Sequence, residues 1–221
     1  MSKSILILGA GNAQIDLIKY CKSIGLETHG CSYTDTDSGI RFLDYFSQID
    51  IVDTDAVRAY MDKHKIDYIY SVGSDIAVPT FCEVAEELGK FSFISSETAQ
   101  ICCNKHLMRQ KMIGSRFNLS YAVCSSLEEA IEVNCYPVMM KPVDSQGQRG
   151  VFLIHDRGEL ETFFERSICY SKSKGVILEQ YVSGDEVSVN AYIKDGQVIF
   201  RIVSDRISFD ELPGGIIKSH R

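Results

Sequence analysis

The residues best suited to chemistry lie in the stretch 136–151, YPVMMKPVDSQGQRGV. An apolar segment carries a single lysine, Lys141, and runs into a polar loop, after which a short apolar segment, Val151–Ile154, follows at once. Three small residues of the loop can bring its backbone close to a ligand: Ser145, Gly147 and Gly150. Backbone N–H groups in such a loop can approach anionic oxygens, and the lysine supplies positive charge. The pattern therefore predicts a β-hairpin that clasps a polyphosphate.

A plain surface hairpin is the alternative for this stretch, because glycine-rich turns are common in hairpins that bind nothing. The Walker arrangement is excluded, since there the lysine follows the glycines and opens a helix. Here Lys141 precedes the glycines and the segment after them is predicted to be a strand. The loop 144–149 has polar side chains, a glycine and no apolar anchor, so we predict that it is mobile without a ligand.

A second glycine loop, Gly9-Ala10-Gly11, follows a predicted strand at Ile5–Leu8. A dinucleotide-binding loop of this kind needs a small residue at the position of Gln14, so that helix and strand can pack closely. Asp35 could be offered as the acid that binds a ribose, or it could be an ordinary loop residue. Gln14 makes a site for NAD or FAD the less favoured interpretation, and a substrate-binding or structural role is favoured for this loop.

The elements that must position these residues change character along the chain. In the first hundred residues strands and helices alternate: strands at 5–8, 27–33, 67–72 and 91–94, and helices at 13–24, at 53–65 and from after Gly73-Ser74-Asp75 through Leu88. This alternation predicts an α/β fold with a parallel sheet. The rest is predicted to be mixed: helices at 97–114, 126–133 and 156–167, an extended segment at 118–124, and strands at 176–182, 186–193 and 198–203. Asp195-Gly196 predicts a tight hairpin turn, and the strands before and after Ser183-Gly184-Asp185 are predicted to run antiparallel, with Glu186 facing the bend.

Composition narrows the class of protein. A net charge of −7 over 221 residues argues against a nucleic-acid binder that depends on phosphate contacts. The eight cysteines include no CxxC pair, which favours free thiols in a reducing compartment. The first residues, MSKSILILGAG, lack the length and cleavage site of a signal peptide, and no stretch approaches a membrane span. These features predict a cytoplasmic protein without nucleic-acid or membrane partners.

Several short motifs occur in one order along the chain: ILGAG at 7–11, SVGSD at 71–75, NKHLMR at 104–109, KPVDSQGQRGV at 141–151, EQYVSGDEVSV at 179–189 and SDR at 204–206. Together they resemble the ATP-grasp ligase superfamily, and within it the carbamoyl-phosphate-synthase large-subunit-like members. The resemblance covers essentially the whole chain. It implies a Rossmann-like pre-ATP-grasp domain at 1–103, an ATP-grasp small (lid) subdomain with its leading helix at 104–182, and the first strands of a truncated catalytic subdomain at 183–221.

The resemblance also implies a role for individual residues. Lys105 and Lys141 would contact the nucleotide phosphates, and the loop Ser145–Gly150 would cover the β- and γ-phosphates. The linker that reads adenine through its backbone would consist of Glu179, Gln180, Tyr181 and Val182, and Glu186 would accept from the ribose hydroxyls. Each position has an ordinary interpretation too: Lys105 as a solvated charge at a helix start, and Glu179 as an exposed strand residue. Asn104 and Arg109 could touch phosphate, or could be a helix cap and a member of a surface ion pair.

The activity implied is transfer of the γ-phosphoryl of ATP to a carboxylate, after which an amine or ammonia attacks the acyl phosphate. Magnesium would be required, but we assign no metal ligand, because the family's metal-binding strands lie beyond the region of Ser204–Arg221. Asp205, Asp210 and Glu211 are interpreted as loop residues, and Glu211–Arg221 as a loop. We expect a fragment or a truncated relative whose exposed sheet needs a second copy or the remainder of the enzyme. The alternatives are a non-catalytic ATP-binding module and, less favoured, an NAD(P)-binding protein.

Overall fold

The computed structural model describes residues 2–209 and 217–221, and the chain divides into two units, residues 1–103 and 104–221. Each unit has its own sheet or sheets and its own buried apolar residues. Within the described ranges, no helix is long and apolar enough to cross a membrane.

The first unit is built on a parallel sheet of four strands in the order β3-β2-β1-β4. The strands are β1 (Ser4–Leu8), β2 (Glu27–Ser32), β3 (Tyr45–Gln48) and β4 (Tyr68–Tyr70). Its helices are α1 (Ile15–Ser23), α2 (Thr54–His64), α3 (Val78–Glu87) and α4 (Ser96–Cys103), with short 3₁₀ turns at Asn12–Gln14, Ile40–Phe42 and Asp75–Ala77. The predicted alternation and parallel sheet are confirmed.

Strand β1 is buried on both faces, as a central strand of a parallel sheet must be. Leu6 and Leu8 belong to the cluster that includes the apolar sides of α2 and α3, whereas Ile5 and Ile7 pack with Ile18 of α1. Strands β1 and β4 pair in parallel, so their carboxyl ends lie side by side and the loops after them come together.

One strand predicted for the first unit is wrong, and another strand was missed. Residues 91–94 do not form a strand, because the Ser92 hydroxyl donates to the carbonyl of Ile94 and this local bond competes with a strand ladder. Strand β3 was not predicted. It is a short edge strand that pairs only with β2, and its Tyr45 ring stacks on His29, at 4.7 Å between centroids.

The second unit begins with the antiparallel sheet β5-β8-β6-β7. The elements in chain order are α5 (Lys105–Lys111), β5 (Tyr121–Cys124), α6 (Leu127–Ile131), β6 (Val138–Pro142), β7 (Phe152–Ile154), α7 (Arg157–Ile168) and β8 (Val176–Gln180). One face of the sheet buries Val138, Met140 and Leu178 against Leu160 and Phe164 of α7. Because side chains alternate along a strand, Met139, Lys141 and Glu179 project from the opposite face.

The single helix predicted for 97–114 is two helices. The break is at Asn104, whose backbone is extended (φ −120°, ψ 115°) and whose side-chain oxygen accepts from the N–H groups of His106 and Leu107. Asparagine is a favoured N-cap because it satisfies N–H groups that have no partner within the helix. The cap interpretation of Asn104 is therefore confirmed, and Lys105 is the first residue of α5.

A second sheet completes this unit, in the order β11-β10-β9, with β9 at Val187–Lys194, β10 at Gln197–Ser208 and β11 at Ile217–His220. The predicted hairpin turn is confirmed, with positive φ at Asp195 (49°) and Gly196 (73°). Strands β8 and β9, on either side of Ser183-Gly184-Asp185, belong to different sheets and are not hydrogen-bonded neighbours, and their antiparallel course stays a prediction. The interpretation of Glu211–Arg221 as a loop is wrong for Ile217–His220, which pairs with β10, while Asp210 and Glu211 lie outside the described residues.

The hairpin of β9 and β10 exposes apolar side chains on both of its faces. More than half of the accessible surface is exposed at Val189, Tyr192, Ile193, Ile199, Phe200, Ile202 and Val203. Folded monomers rarely expose so large a group of neighbouring apolar side chains.

Gln14 joins the loops that follow β1 and β4. Its side chain is 5 % exposed, its Oε1 accepts from the N–H of Gly11 at 2.9 Å, and its Nε2 donates to the carbonyl of Val72. The side chain also lies against Gly9, where an added Cβ would be 3.2 Å from its Cδ. The glutamine side chain thus fills the space above Gly9-Ala10-Gly11 and accepts from the N–H of Gly11.

We predict that Gln14→Ala lowers the free energy of unfolding by about 1–3 kcal/mol, because it removes a buried side chain that bonds the backbone of two loops and leaves those partly buried bonds unmade. Urea titration followed by circular dichroism measures the change. Gln48→Ala is the matched control, since it removes one exposed bond to the carbonyl of Tyr33 and is expected to cost under about 0.5 kcal/mol. Equal losses of unfolding free energy in the two variants would show that the bonds of Gln14 to the two loops do not stabilise the fold.

Candidate functional site

The second unit contains a cavity of about 570 Å³ between its two sheets. Nine of the predicted site residues line it: Lys105, Lys141, Ser145, Gly147, Glu179, Gln180, Tyr181, Val182 and Glu186. Further lining residues are Leu119, Met139, Gln146, Gln148, Val151, Leu153, Arg206, Ser208 and Phe209. Of the predicted residues, Gly150 is not part of this lining. The cavity has the size typical of small-molecule sites.

Strand register places the charged residues of the cavity floor. Met139 of β6 lies opposite Glu179 of β8, and Lys141 lies opposite Ile177. Lys141 and Glu179 are therefore diagonal neighbours on one face, within reach of each other's long side chains. On the other side of β6, Met139 pairs with Leu153 of β7 and continues an apolar floor. The hairpin predicted around Lys141 is confirmed as the antiparallel pair β6 and β7.

The carboxylate of Glu179 lies between two cations. Its Oε1 accepts from Nε of Arg109 at 2.6 Å, and its Oε2 accepts from Nζ of Lys141 at 2.7 Å. The side chain is only 2 % exposed. Burial by itself would raise the pKa of this carboxyl, but the hydrogen bonds from Arg109 and Lys141 outweigh burial and hold the pKa below its usual value.

This geometry corrects two ordinary interpretations. Glu179 is not an exposed strand residue, and Arg109 is not part of a surface ion pair, since its side chain is 11 % exposed. Both follow from the packing of α5 over the cavity face of the sheet, which no local pattern reveals. The alternation of apolar residues with Lys141 and Glu179 was the one available signal that these two share a face.

Lys105 is also not a solvated charge at a helix start. Its Nζ donates to the carbonyl of Pro142 at 2.9 Å and to the carbonyl of Ser145 at 2.7 Å. Burial lowers the pKa of this ammonium and the neighbouring charge of Lys141 lowers it further, although Glu179 opposes the effect. An ammonium has three hydrogens, so two hold the start of the glycine loop and one can meet a ligand.

The glycine loop is fixed at its first residue. The carboxylate of Asp144 accepts from the Ser171 hydroxyl at 2.8 Å and from the backbone N–H groups of Lys172 and Ser173 at 3.1 and 2.9 Å. These bonds anchor the side chain of Asp144, and the mobility of 144–149 without a ligand stays a prediction. At Gly147, φ is 67° and an added Cβ would meet no atom within 4 Å, so the tip has open space around it.

Gly150 is required by packing. Its φ is 71°, and an added Cβ would lie 2.9 Å from Pro142 Cγ and 2.9 Å from a ring carbon of Tyr170. Its carbonyl accepts from the buried hydroxyl of Ser167 at 2.7 Å. Gly150 therefore packs against the end of α7 and is not among the residues that line the cavity. Its contact with phosphate stays a prediction.

The second sheet supplies the opposite wall. Glu186 and Arg206 both line the cavity and form an ion pair at 3.3 Å, and the N–H of Arg206 donates to the carbonyl of Glu186 at 2.8 Å. Arg206 was missed as a lining residue. Across residues 2–209 and 217–221, no three His, Cys, Asp or Glu side chains gather as a metal site would require.

Comparison with known proteins adds three findings. Residues 113–210 match the family model described as D-ala D-ala ligase C-terminus. A formate-dependent phosphoribosylglycinamide formyltransferase of Prochlorococcus marinus (strain AS9601) is 23 % identical over 192 residues, which are 83 % of this chain and 48 % of that protein. The chain thus spans about half the length of the curated relatives it matches.

Solved structures share the fold. The biotin carboxylase domain dimer of Hydrogenobacter thermophilus 2-oxoglutarate carboxylase, in complex with ADP, its magnesium salt and bicarbonate, has a TM-score of 0.72 at 18 % identity, over 93 % of this chain and 50 % of that one. The N5-carboxyaminoimidazole synthetase of Staphylococcus aureus, complexed with ADP, has a TM-score of 0.71 at 17 % identity, over 95 % and 56 %.

We predict that Glu179→Gln lowers the free energy of unfolding by about 3 kcal/mol, because two partly buried cations lose their shared counter-charge. The matched control is Glu161→Gln, which breaks an exposed pair with Arg157 and is expected to cost under about 1 kcal/mol. Chemical unfolding of both variants at neutral pH makes the comparison.

We also predict that the loss of stability in Glu179→Gln depends on pH. Because the folded pKa of Glu179 is lowered, its ionised form stabilises the fold above the ordinary glutamate pKa, and this contribution is lost as pH falls through the lowered value. The difference in stability between the wild-type chain and Glu179→Gln should therefore shrink on acidification. A constant difference from neutral to acid pH would contradict the assigned ion pairs.

Proposed function

We propose that the chain is a member of the ATP-grasp superfamily and that its second unit binds ATP in the cavity between its sheets, as part of a ligase. The match to a ligase family model and the likeness in fold to ligase structures support this. The reaction proposed is phosphorylation of a carboxylate by ATP, followed by attack of an amine or ammonia on the acyl phosphate. One observation carries the proposal: Lys105, Lys141 and the tip of the glycine loop meet at a single cavity.

The charges at one end of the cavity suit the polyphosphate. Lys105 and Lys141 bring two ammonium groups to it. Lys141 donates to the carboxylate of Glu179, whereas Lys105 donates to two backbone carbonyls. Cations in this position offset repulsion among phosphate oxygens and help to position the γ-phosphoryl group. The backbone of Ser145 and Gly147 would cover the phosphates, with the open space at Gly147 leaving room for them.

The other features of the cavity suit a base and a ribose. Leu119, Met139 and Leu153 provide apolar surface for a flat ring. In the linker the N–H groups of Gln180 and Tyr181 already donate to Ser120 and Pro137 carbonyls, whereas the N–H of Val182 has no partner among the described residues. That N–H is the proposed donor to adenine N1, with a carbonyl at 179 or 180 as acceptor for the amino group. Glu186 would accept from the ribose hydroxyls.

Magnesium has no site made by described residues alone. The two acids of the cavity, Glu179 and Glu186, are each engaged by cations. Mg²⁺ is commonly held through nucleotide phosphates, waters and one or two carboxylates. The residues present thus do not fit a protein-made magnesium site, and we assign the ion no ligand and no step here.

Two properties of the whole protein belong to the proposal. The exposed apolar faces of β9 and β10 support a protein cover for this sheet. Because the relatives are about twice as long as this chain, we favour the remainder of an enzyme as that cover over a second copy. Because the chain spans about half the length of these relatives, the second candidate function is an ATP-binding module that does not catalyse ligation.

We predict that Mg·ATP at about 100 times its dissociation constant stabilises the second unit by about 2.7 kcal/mol, seen as a rise in melting temperature of at least several degrees. Lys141→Met and Lys105→Met should each weaken binding about 10- to 100-fold, because each loses a charge-assisted contact. Lys194→Met is the control, an exposed lysine at the end of β9, and should bind as the wild type does. Stabilisation by NAD and not by ATP would refute the proposal.

We further predict that ADP release from Mg·ATP rises when a carboxylate is added, and that Lys141→Met abolishes the rise. Formate and bicarbonate are the first acids to try, since they occur in the names of two similar proteins. A coupled assay for ADP measures the release, with Lys194→Met as the active control. Binding of ATP without any carboxylate-dependent release would favour the module over the ligase.

A further inference from the structure

We infer that Arg109 is a positioning residue for the nucleotide site: it holds the Glu179 carboxylate from behind, so that Lys141 can turn from that carboxylate to a bound phosphate. The inference rests on the proposed function, since it takes the ligand to be a nucleoside polyphosphate.

The two cations around Glu179 occupy different places. Lys141 lines the cavity and its side chain is 26 % exposed, whereas Arg109 is 11 % exposed and does not line it. Arg109 sits on α5, whose start is capped by Asn104 and whose Arg109 carbonyl accepts from the side-chain amide of Asn118 at 3.2 Å. The guanidinium therefore approaches Glu179 from a fixed helix, and the ammonium approaches it from the ligand side.

A ligand phosphate changes this balance. Lys141 donates to Glu179 Oε2 at 2.7 Å, and a phosphate oxygen in the cavity would compete for the same ammonium. As Lys141 shifts toward phosphate, the buried carboxylate loses part of its compensation. A buried charge that has lost its partner is strongly destabilising. The bond from Arg109 to Oε1 is independent of the ligand, so it keeps the carboxylate ionised and in place.

Other charged and titratable groups around Glu179 contribute to the electrostatic environment of its carboxylate. They come from α5, β5, β6 and the second sheet: Arg109, Lys105, Tyr121, Lys141, Glu186 and Arg206. Of these, Arg109 and Lys141 are the two bonded to the carboxylate. Replacing Arg109 by methionine leaves Lys141 as the only bonded cation, in a place where burial favours the protonated acid. Nucleotide binding to that variant should then be accompanied by proton uptake at Glu179.

The sign of the pH effect follows from this uptake. Binding that takes up a proton is favoured at low pH. As pH rises from 5.5 to 8, the affinity of Arg109→Met for Mg·ATP should therefore fall, and this fall should exceed that of the wild-type chain by about tenfold. Uptake of one proton limits the effect to about tenfold per pH unit. Titration of the nucleotide itself is common to both proteins and cancels in the comparison. Arg109→Lys keeps the charge and should restore most of the affinity without the added pH dependence.

The experiment measures Mg·ATP binding by isothermal titration calorimetry across this pH range, in two buffers of different ionisation enthalpy. Proton uptake by Arg109→Met, absent in the double variant Arg109→Met/Glu179→Gln, is the expected result. The matched control is Arg157→Met, which removes an exposed arginine whose Nε also bonds a glutamate, at 2.8 Å from Glu161. Arg109→Gln replaces the methionine variant if the latter does not fold.

The outcomes separate the inference from the proposed function. If the wild-type chain does not bind Mg·ATP, the proposed function is refuted, and the inference that rests on it is refuted with it. If the wild-type chain binds and Lys141→Met does not, while Arg109→Met matches Arg157→Met in affinity and proton uptake, the inference alone is overturned. Weaker binding by Arg109→Met with no added pH dependence and no rescue by lysine would make Arg109 a purely structural residue and would overturn it too.

Discussion

A buried carboxylate held by two cations organises the second unit. Glu179 on β8 joins Arg109 of α5 to Lys141 of β6, with bonds of 2.6 and 2.7 Å. Ion pairs at a protein surface contribute little, but a buried carboxylate that loses one partner is expensive, so this trio fixes where α5 and the two strands lie. The arrangement also keeps Lys141 at the cavity with its charge partly compensated, ready to be shared with an anionic ligand.

The sheet beneath the trio makes the arrangement possible. Antiparallel pairing of β6 with β8 places Lys141 and Glu179 on one face, while Met140 and Leu178 are buried on the other. A shift of one residue in this register would send the charges into the apolar core and the apolar residues into the cavity. The hydrophobic pattern thus protects the geometry of the polar site, although it takes no part in ligand contacts.

In the first unit a glycine motif is present, but a side chain of the protein occupies the space where a ligand would bind. Gly9-Ala10-Gly11 follows β1 as in a dinucleotide-binding fold, but the Gln14 side chain occupies the space above it and accepts from Gly11. The same side chain donates to Val72 after β4. A residue that argues against a dinucleotide by its size alone thereby gains a structural explanation: it ties together the two loops at the carboxyl edge of the sheet.

Local patterns in the sequence predicted most of the elements and the residues around Lys141, and the family resemblance brought the predicted residues to half of those that line the cavity. The strand-lysine-glycine pattern around Lys141, the hairpin turn at Asp195-Gly196 and the β/α alternation each depend on neighbouring residues, so they were predictable. The partnership of Arg109 with Glu179 joins residues 70 positions apart, and the split between the β8 and β9 sheets depends on what each strand pairs with. Only the tertiary structure decided these, because burial and strand register turn an ordinary surface arginine and glutamate into a buried pair.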